Sequence, residues 1–293
     1  MRLLILGGTR FIGRAFVELA LRNGHEVTLF HRGQSGLFLF PDQPRILGDR
    51  RRDLYLLEDQ KFDAVVDFCG YEPEEVRLSA RELSSNVGNY IFISTISVYE
   101  DFASSILSEM SPTQAFPKDI TLRNYGNRKA ECERVLKQEI RRENLLIIRP
   151  TIVVGEFDPT NRFEKWLSNI RDEVEFAIPS SPDQPIQWID VKDLCRFTLS
   201  SIELGLSGIY NLCGPSEPTN LGEFADSLTR FFERSSFFEF DSICEDQFPF
   251  CTLPEYRGIF RVDASRAISK GLTLTPLEET ARRTTKWMES EVS

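Results

Sequence analysis

The chain is poor in histidine and has no long hydrophobic run. Only two histidines, His25 and His31, occur among its 293 residues, so neither a Ser-His-Asp hydrolase nor a His-based metal site is expected. No apolar run approaches the roughly 20 residues that a transmembrane helix needs. The six cysteines include no Cys-x-x-Cys pair, which argues against a zinc site and indicates a reduced protein.

Acidic residues outnumber basic residues in this chain. The sequence has 35 Lys and Arg against 45 Asp and Glu, a formal net charge of −10, so we expect no membrane partner and consider nucleic acid an unfavourable one. The one dense basic run, Arg50-Arg51-Arg52, is short, and we interpret it as a solvated loop. Because the first predicted strand begins at residue 3, we expect no signal peptide and a cytoplasmic protein.

A strand, a glycine turn and a helix stand at the start of the chain. Residues 3–6 are a short apolar run, apolar residues at helical spacing occupy 16–21, and a second strand is predicted over 27–30. The turn between the first strand and the helix consists of Gly7, Gly8, Thr9, Arg10, Phe11, Ile12 and Gly13. In this βαβ context such a turn is typical of a dinucleotide-binding site, with the pyrophosphate at the helix N-terminus.

The three glycines of this turn are expected to have separate roles. Gly7 permits the tight turn, Gly8 lets the backbone approach a ligand, and Gly13 lets the helix pack on the sheet. Arg10 stands where many such turns have a middle glycine, and His31-Arg32 follows the second strand, where NAD-binding proteins usually have an acid. A guanidinium attracts a 2′-phosphate, so we predict NADP or NAD, with NADP favoured. The alternative is that both arginines are solvated.

Strands and helices continue to alternate along the chain. Strands are predicted over 45–47, 63–68, 89–94 and 145–148, and a helix over 73–87, which together indicate an α/β protein with a doubly wound parallel sheet. Ligands bind such sheets at the carboxyl ends of the strands. There, Asp49 is a candidate acceptor for an adenine amino group or else a turn residue, and Cys69 and Gly70 leave space for a cofactor.

A tyrosine and a lysine four residues apart follow the fifth strand. Thr95 lies just after that strand, and Tyr125 and Lys129 share one face of a predicted helix. An ammonium near a phenol lowers the phenol pKa, so Tyr125 can exchange a proton with a carbonyl or an alcohol while hydride moves. Thr95 would hydrogen-bond the reacting oxygen, and Lys129 can also reach the nicotinamide ribose. The alternative is a helix surface pair.

Taken together, the motifs resemble a known enzyme family. The runs GGTRFIG, FISTISVY, YGNRK, IIRPTIVVG and WIDVKDL resemble the extended short-chain dehydrogenase/reductases, the NAD-dependent epimerase/dehydratase group, over nearly the whole chain. The resemblance implies a catalytic triad of Thr95, Tyr125 and Lys129. It also implies a Rossmann-type domain and a smaller C-terminal substrate-binding lobe. We expect the domain to span 1–155 with 186–212 returning to it, and the lobe 156–185 and 213–293.

Two positions depart from the sugar-nucleotide members of that family. Ile152 stands where those members commonly have an Asn, and Ile186 stands near the place of an Arg that grips the diphosphate. We therefore predict an oxidoreductase acting on a small carbonyl or alcohol, with a nucleotide-sugar epimerase or dehydratase and a non-catalytic RNA-associated protein as alternatives. A monomer or a homodimer is expected. Arg162 is a candidate for meeting an anionic group, or else a surface residue.

The C-terminal part contains a run of aromatic residues. We predict that these rings form the lobe core, the alternative being the wall of a substrate pocket; they are Phe248, Phe250, Tyr256 and Phe260.

Overall fold

The computed structural model describes residues 1–103, 106–172, 175–234, 237–240 and 249–292. Its strands are β1 (Arg2–Leu6), β2 (Glu26–His31), β3 (Arg45–Leu47), β4 (Phe62–Asp67), β5 (Val87–Ile93), β6 (Leu145–Pro150), β7 (Ile152–Val154), β8 (Glu175–Ile178), β9 (Pro185–Asp190), β10 (Gly208–Leu212), β11 (Gly214–Asn220) and β12 (Phe237–Phe240). Its helices are α1 (Phe11–Arg22), α2 (Pro73–Leu83), α3 (Tyr125–Glu139), α4 (Arg162–Asp172), α5 (Val191–Glu203), α6 (Leu221–Phe231), α7 (Ser265–Ile268) and α8 (Leu277–Val292).

Seven strands form the main sheet, in the order β10-β6-β5-β4-β1-β2-β3. Strand β1 pairs in parallel with both β2 and β4, so the chain first winds outward to β3 and then returns past β1 to β4, β5 and β6. The apolar residues of β1, 3–6, are fully buried, as a central parallel strand requires. The predicted doubly wound Rossmann-type sheet is confirmed, and its order reverses between β1 and β4.

The helix predicted over 73–87 is shorter than expected. Helix α2 ends at Leu83, and Val87 is the first residue of β5, where it pairs with Phe62 of β4. Val is β-branched and favours a strand over the last turn of a helix. The strand signal therefore outweighed the helical periodicity at this boundary.

The chain divides into two compact units. The first contains Met1–Glu100, Glu109–Pro150 and Leu194–Asn211, and the second contains Asp101–Ser108, Thr151–Asp193 and Leu212–Ser293. Strand β10 joins the main sheet as predicted, whereas β9 lies in a separate sheet of order β11-β9-β7. Of the residues 186–212 that were expected to return to the first domain, 186–193 belong to the second unit and 194–211 to the first. The first strand of the separate sheet, β7, begins at Ile152, two residues beyond the end of β6.

Aromatic rings fill the core of the second unit. The ring of Phe224 lies 5.3 Å from those of Trp166 and Trp188 and 5.6 Å from that of Phe250. Phe250 and Phe260 are buried, which agrees with a lobe core, whereas Tyr256 is half exposed. Phe248 lies outside the described residues.

The described residues contain neither a membrane-spanning helix nor a metal-binding cluster. None of the described helices is both long enough and apolar enough to cross a bilayer. The same residues contain no group of three or more His, Cys, Asp or Glu placed to hold a metal ion. Cys195 and Cys213 are buried, whereas Cys69 is only partly buried.

Candidate active site

The glycine turn joins β1 to α1. Gly7 and Gly8 have φ of +99° and +87°, which side-chain-bearing residues rarely adopt. A Cβ on Gly8 would lie 2.9 Å from side-chain atoms of both Ile5 and Leu29, and a Cβ on Gly13 would lie 2.9 Å from the Cα of Gly8. The role expected of Gly8 is therefore corrected: its missing side chain lets the turn pack on β1 and β2. Gly13 lets the helix pack against the turn itself.

The N-terminus of α1 carries no protein cap. Arg10 occupies the N-cap position and makes no side-chain capping hydrogen bond, and the first turn contains no acidic residue. Arg10 is exposed, while the neighbouring Thr9 is buried, with its Oγ1 2.9 Å from the Oγ of Ser35. Neither the N-cap side chain nor the first turn of α1 thus supplies an anion to the positive end of the helix dipole.

His31 is the last residue of β2 and Arg32 follows it, and the two side chains differ in exposure. Arg32 is exposed, and His31 is buried. The Nδ1 of His31 accepts a hydrogen bond from the N–H of Gly33 at 3.0 Å, so the neutral ring carries its proton on Nε2. Burial and the nearby Arg45 lower the pKa of His31, which keeps the ring neutral at pH 7. Its Nε2 is buried and has no hydrogen-bond partner within the described part of the chain.

The segment after β3 differs from the expected solvated loop. Arg51 binds the carboxylate of Asp49 through two nitrogens, at 2.6 Å and 3.1 Å, and these hydrogen bonds hold the pKa of Asp49 well below its usual range. Arg51 and Arg52 are exposed, but Arg50 is buried. The interpretation of the basic run as solvated is therefore wrong for Arg50, because a carboxylate inside the first unit binds it.

That carboxylate belongs to Asp67, the last residue of β4. Arg50 donates two hydrogen bonds to it, and Tyr90 donates a third at 2.8 Å. Burial alone would raise the pKa of Asp67, yet the charge and hydrogen bonds of Arg50 outweigh it, and the pKa is lowered. This pair was missed in the sequence because its members are 17 residues apart and follow different strands.

Cys69 and Gly70 follow β4, as the site prediction requires. A Cβ on Gly70 would lie 2.6 Å from a ring atom of Phe92 and 2.9 Å from Oδ2 of Asp67. The glycine is thus needed for packing against protein side chains, which corrects the expectation that its smallness serves the cofactor. Burial raises the pKa of the Cys69 thiol to about 12, so this cysteine is not a thiolate at pH 7.

Lys129 is almost completely buried, at 2% exposure. Its Nζ donates to the carbonyl oxygens of Gly70 at 2.9 Å and Ile93 at 2.6 Å. The Nζ also lies 4.0 Å from the centre of the Phe92 ring and 5.6 Å from that of Tyr71. The ammonium is therefore held between the carboxyl ends of β4 and β5. Burial lowers its pKa to about 8, and it is mostly charged at neutral pH.

The other two members of the predicted triad lie at helix starts. Tyr125 is the first residue of α3 and is 45% exposed. Thr95 caps the short 3-10 turn Ile96–Val98, where its Oγ1 accepts from the N–H of Ser97 at 3.1 Å. A Cβ on Gly126 would lie only 2.2 Å from the carbonyl oxygen of Ser97. The glycine after Tyr125 thus brings the first turn of α3 against the turn that carries Thr95.

A second buried hydrogen-bond network includes Ser94, the residue before Thr95. Ser94 donates to Glu133 at 2.7 Å, and Glu133 accepts two hydrogen bonds from Arg149. The Arg149 guanidinium also lies 4.9 Å from the ring centre of Tyr99. The hydroxyl of Ser94 therefore binds Glu133 in the interior. Thr95 and Ser97 carry the next two side-chain hydroxyls along the chain. Ser97 is half-buried, and its Oγ accepts a hydrogen bond from the Oγ1 of Thr95 at 3.2 Å. It is a further candidate for a catalytic hydroxyl, which the sequence motif did not indicate.

In the second unit, Arg162 begins α4 beside a groove. The groove has a volume of about 740 Å³, and its lining includes Arg162, Glu164 and Phe250. The Nε of Arg162 donates to the Oγ1 of Thr160 at 2.7 Å. Arg162 is thus held locally, and its predicted contact with an anionic group remains a prediction.

The first-unit residues fit the dinucleotide that the glycine turn predicts. The uncapped N-terminus of α1 suits a pyrophosphate, and a Cβ at Gly13 would fill the turn. The buried Nε2 of His31 is a donor without an acceptor, which is rare in folded proteins unless a ligand or water completes it.

The comparisons with known proteins agree with this geometry. Residues 74–213 match the family model described as the NAD dependent epimerase/dehydratase family. The match confirms, over these residues, the resemblance to the NAD-dependent epimerase/dehydratase group that was drawn from the sequence. It also supports the prediction of an enzyme.

One curated relative of this chain is a plant protein. The chloroplast stem-loop binding protein of 41 kDa b from Arabidopsis thaliana is 30% identical over 237 residues. These residues cover 73% of this chain and 58% of the plant protein. The chain thus spans little more than half the length of that relative.

Solved structures of similar fold include sugar-nucleotide enzymes. UDP-glucose 4-epimerase from Thermotoga maritima, solved with UDP-glucose, matches with a TM-score of 0.76 at 16% identity, covering 100% of both chains. The Bordetella bronchiseptica enzyme WbmH, in complex with NAD+, matches with a TM-score of 0.75 at 18% identity, covering 98% of each chain. At such identities the likeness concerns the fold.

Proposed function

We propose that this protein is a nicotinamide-dinucleotide-dependent oxidoreductase that interconverts a small carbonyl compound and its alcohol. The observation that supports it most is the placement of Lys129, buried between the ends of β4 and β5 on the helix that Tyr125 begins. A bound nicotinamide would accept or supply the hydride. Tyr125, four residues before Lys129 on α3, would move the proton to or from the substrate oxygen, and Thr95 would hydrogen-bond that oxygen.

Other residues of the first unit would hold the cofactor. The first turn of α1 would hold the pyrophosphate, Asp49 would hold the adenine amino group, and His31 and Arg32 would hold the adenosine ribose. NAD is the cofactor in the Bordetella structure. In this chain the end of β2 has a neutral histidine and an exposed arginine in place of an acid. We therefore infer that the protein accepts NADP as well as NAD, because nothing there repels a 2′-phosphate.

Two residues of the second unit support the proposed substrate class. Ile186 is buried in its core with Trp166 and Leu167, so it cannot act in place of the arginine that grips a diphosphate in sugar-nucleotide members. Ile152, half-buried in β7, offers no hydrogen bond either. A diphosphate without such partners is poorly held, which favours a smaller or more apolar carbonyl or alcohol.

An epimerase or dehydratase is the second candidate. It is favoured by the family itself and by the Thermotoga neighbour, whose name describes a 4-epimerase. The same tyrosine and lysine would serve that reaction, with the cofactor reduced and reoxidised within one turnover.

One experiment separates the two candidates. The nucleotide that copurifies with the protein is identified by native mass spectrometry, and that nucleotide is then used with a panel of carbonyl substrates and with UDP-sugars. The proposal predicts stoichiometric oxidation of NAD(P)H by a small carbonyl. Conversion of a UDP-sugar without net cofactor oxidation would establish the second candidate instead.

The name of the Arabidopsis relative supports a third candidate, RNA binding. The net charge of −10 is unfavourable for it, since RNA affinity depends on neutralising phosphates. A stem-loop RNA titration over a salt series is the test. Tight binding that weakens steeply with salt would favour RNA over the oxidoreductase proposal.

A further inference from the structure

A buried ion pair lies beneath the turn that follows β4. Arg50 is 7% exposed and Asp67 is fully buried, and their two hydrogen bonds are 3.0 Å and 2.7 Å long. Arg50 donates two more, to the Oγ of Ser79 in α2. Burying two charges is costly, and apolar residues of similar size often stabilise a fold as well. The pair therefore calls for a role beyond stability.

Asp67 also shapes the backbone that follows it. Its Oδ1 accepts a hydrogen bond from the N–H of Cys69 at 3.0 Å, a local side-chain-to-backbone bond that bends the chain two residues on. The next residue, Gly70, is closely packed, with space for no Cβ between Phe92 and Asp67. The hydrogen bond of Asp67 thus fixes the peptide between Phe68 and Cys69, and close packing restrains the Cα of Gly70.

The carbonyl oxygen of Gly70 in turn holds Lys129. An ammonium has three N–H donors, and Lys129 uses two of them on the carbonyls of Gly70 and Ile93. Ile93 belongs to the central sheet, which is rigid. Gly70 lies in a turn, so the position of the ammonium depends on whatever holds that turn.

We propose that Asp67, itself held by Arg50, is a positioning residue that sets the location of the Lys129 ammonium for cofactor binding. The inference rests on the proposed function of Lys129. It extends that function to a pair that touches neither the substrate nor the cofactor. Arg50 directly follows Asp49, the predicted adenine contact. The pair therefore connects the chain at the predicted adenine end of the site to the turn that follows β4.

The same pair affects the charge of Lys129. Burial lowers the pKa of Lys129 to about 8. Among the charged and titratable groups that act on it, Asp67 faces it from β4 and Cys132 and Glu133 from its own helix, and all three raise the pKa, while Arg50 lowers it. Loss of the Asp67 charge, with Arg50 left in place, should therefore lower the pKa of Lys129 further.

The test measures NADPH affinity without turnover. Dissociation constants are determined by NADPH fluorescence between about pH 6 and 9 for the wild type, Asp67→Asn and Lys129→Met. Binding to the wild type should weaken as the pH rises through the pKa of Lys129. In Asp67→Asn the weakening should begin about one pH unit lower, and Lys129→Met should bind weakly at every pH.

A control variant separates positioning from simple loss of stability. Arg77→Met breaks the hydrogen-bonded ion pair of 2.7 Å between α2 and Glu139, away from the turn of Gly70. It should lower the melting temperature but leave the pH profile of NADPH binding unchanged. A matching shift in this control would show that the profile reports stability alone, which overturns the inference.

The remaining outcomes distinguish the inference from the proposed function. If Lys129→Met binds NADPH like the wild type, the proposed role of Lys129 is wrong. If Lys129→Met binds weakly but Asp67→Asn keeps the wild-type profile, only the positioning inference is wrong.

A second variant covers the case in which Asp67→Asn does not fold. Tyr90→Phe removes one hydrogen bond from Asp67 and keeps both charges. It should weaken NADPH binding about threefold at an unchanged pH midpoint. Unchanged affinity in Tyr90→Phe would overturn the inference.

Discussion

His31 and Arg32 lie at the proposed adenosine end of the site. The ring of His31 is neutral because burial and Arg45 lower its pKa, and its Nδ1 is already occupied by Gly33. It therefore presents one N–H donor and no charge. Arg32 is exposed beside it, so a charge-based preference between NADP and NAD at this end is expected to depend on Arg32.

The first prediction concerns this preference. Arg32→Ala should weaken NADP binding about tenfold or more, because a charge-assisted contact to the 2′-phosphate is lost, and should leave NAD binding within about twofold. Calorimetric titration of both cofactors measures it. Arg22→Ala, which removes another exposed arginine at the far end of α1, is the control. Equal effects of Arg32→Ala on the two cofactors would remove the case for 2′-phosphate recognition.

At the scale of elements, the start of α3 is the most constrained part of the site. Asn124 and Asn127 form a reciprocal capping box, which fixes where the helix begins. Gly126 lies so close to Ser97 that a Cβ would be 2.2 Å from its carbonyl oxygen. Helix α3 carries both Tyr125 and Lys129, so its contact with the turn of Thr95 aligns the three predicted catalytic groups.

The second prediction follows from that contact. Gly126→Ala should push α3 away from Ser97 and lower turnover about 100-fold, since a shift of 1 Å in a catalytic group has effects of that size. Steady-state kinetics on folded protein measure it. Gly24→Ala is the matched control: it strains a backbone of φ +77° but meets no atom within 4 Å, so only its stability should fall. Turnover near the wild-type value in Gly126→Ala would contradict the alignment.

The elements also show how far the sequence could predict the structure. Strand β3 was predicted at its observed bounds, 45–47, and the glycine turn and α3 lie where their motifs indicate. Those signals are local. The errors are long-range: Val87 pairs with Phe62, β9 pairs with β7, and Arg50 binds Asp67. Periodicity describes one segment at a time and contains no information about such partners.

At the scale of the molecule, two buried carboxylates link stability to pH. Burial alone would raise the pKa of Asp67 and Glu133, but Arg50 and Arg149 lower both values by charge and hydrogen bonds. A carboxyl group whose pKa is lower in the folded than in the unfolded state stabilises the fold above its unfolded pKa. That contribution is lost as the pH falls towards the folded value.

The third prediction is the resulting stability profile. The melting temperature should fall below about pH 4.5, where unfolded Asp and Glu begin to bind protons. Glu133→Gln should lose about 3–5 kcal/mol at pH 7, because Arg149 is left buried and unpaired, and its acid dependence should be shallower. Calorimetry over a pH series measures both, with the exposed Glu58→Gln as control. A wild-type slope retained in Glu133→Gln would show that acid sensitivity arises elsewhere.

The most direct test of the whole account is the turnover of Tyr125→Phe, measured beside its affinity for the dinucleotide. The substitution removes one hydroxyl from an exposed residue at the start of α3, so the fold and the cofactor site should be unaffected. We expect turnover to fall by about 10² to 10⁴, with the dissociation constant of the cofactor within about twofold of the wild type. Turnover near the wild-type rate would show that another group moves the proton.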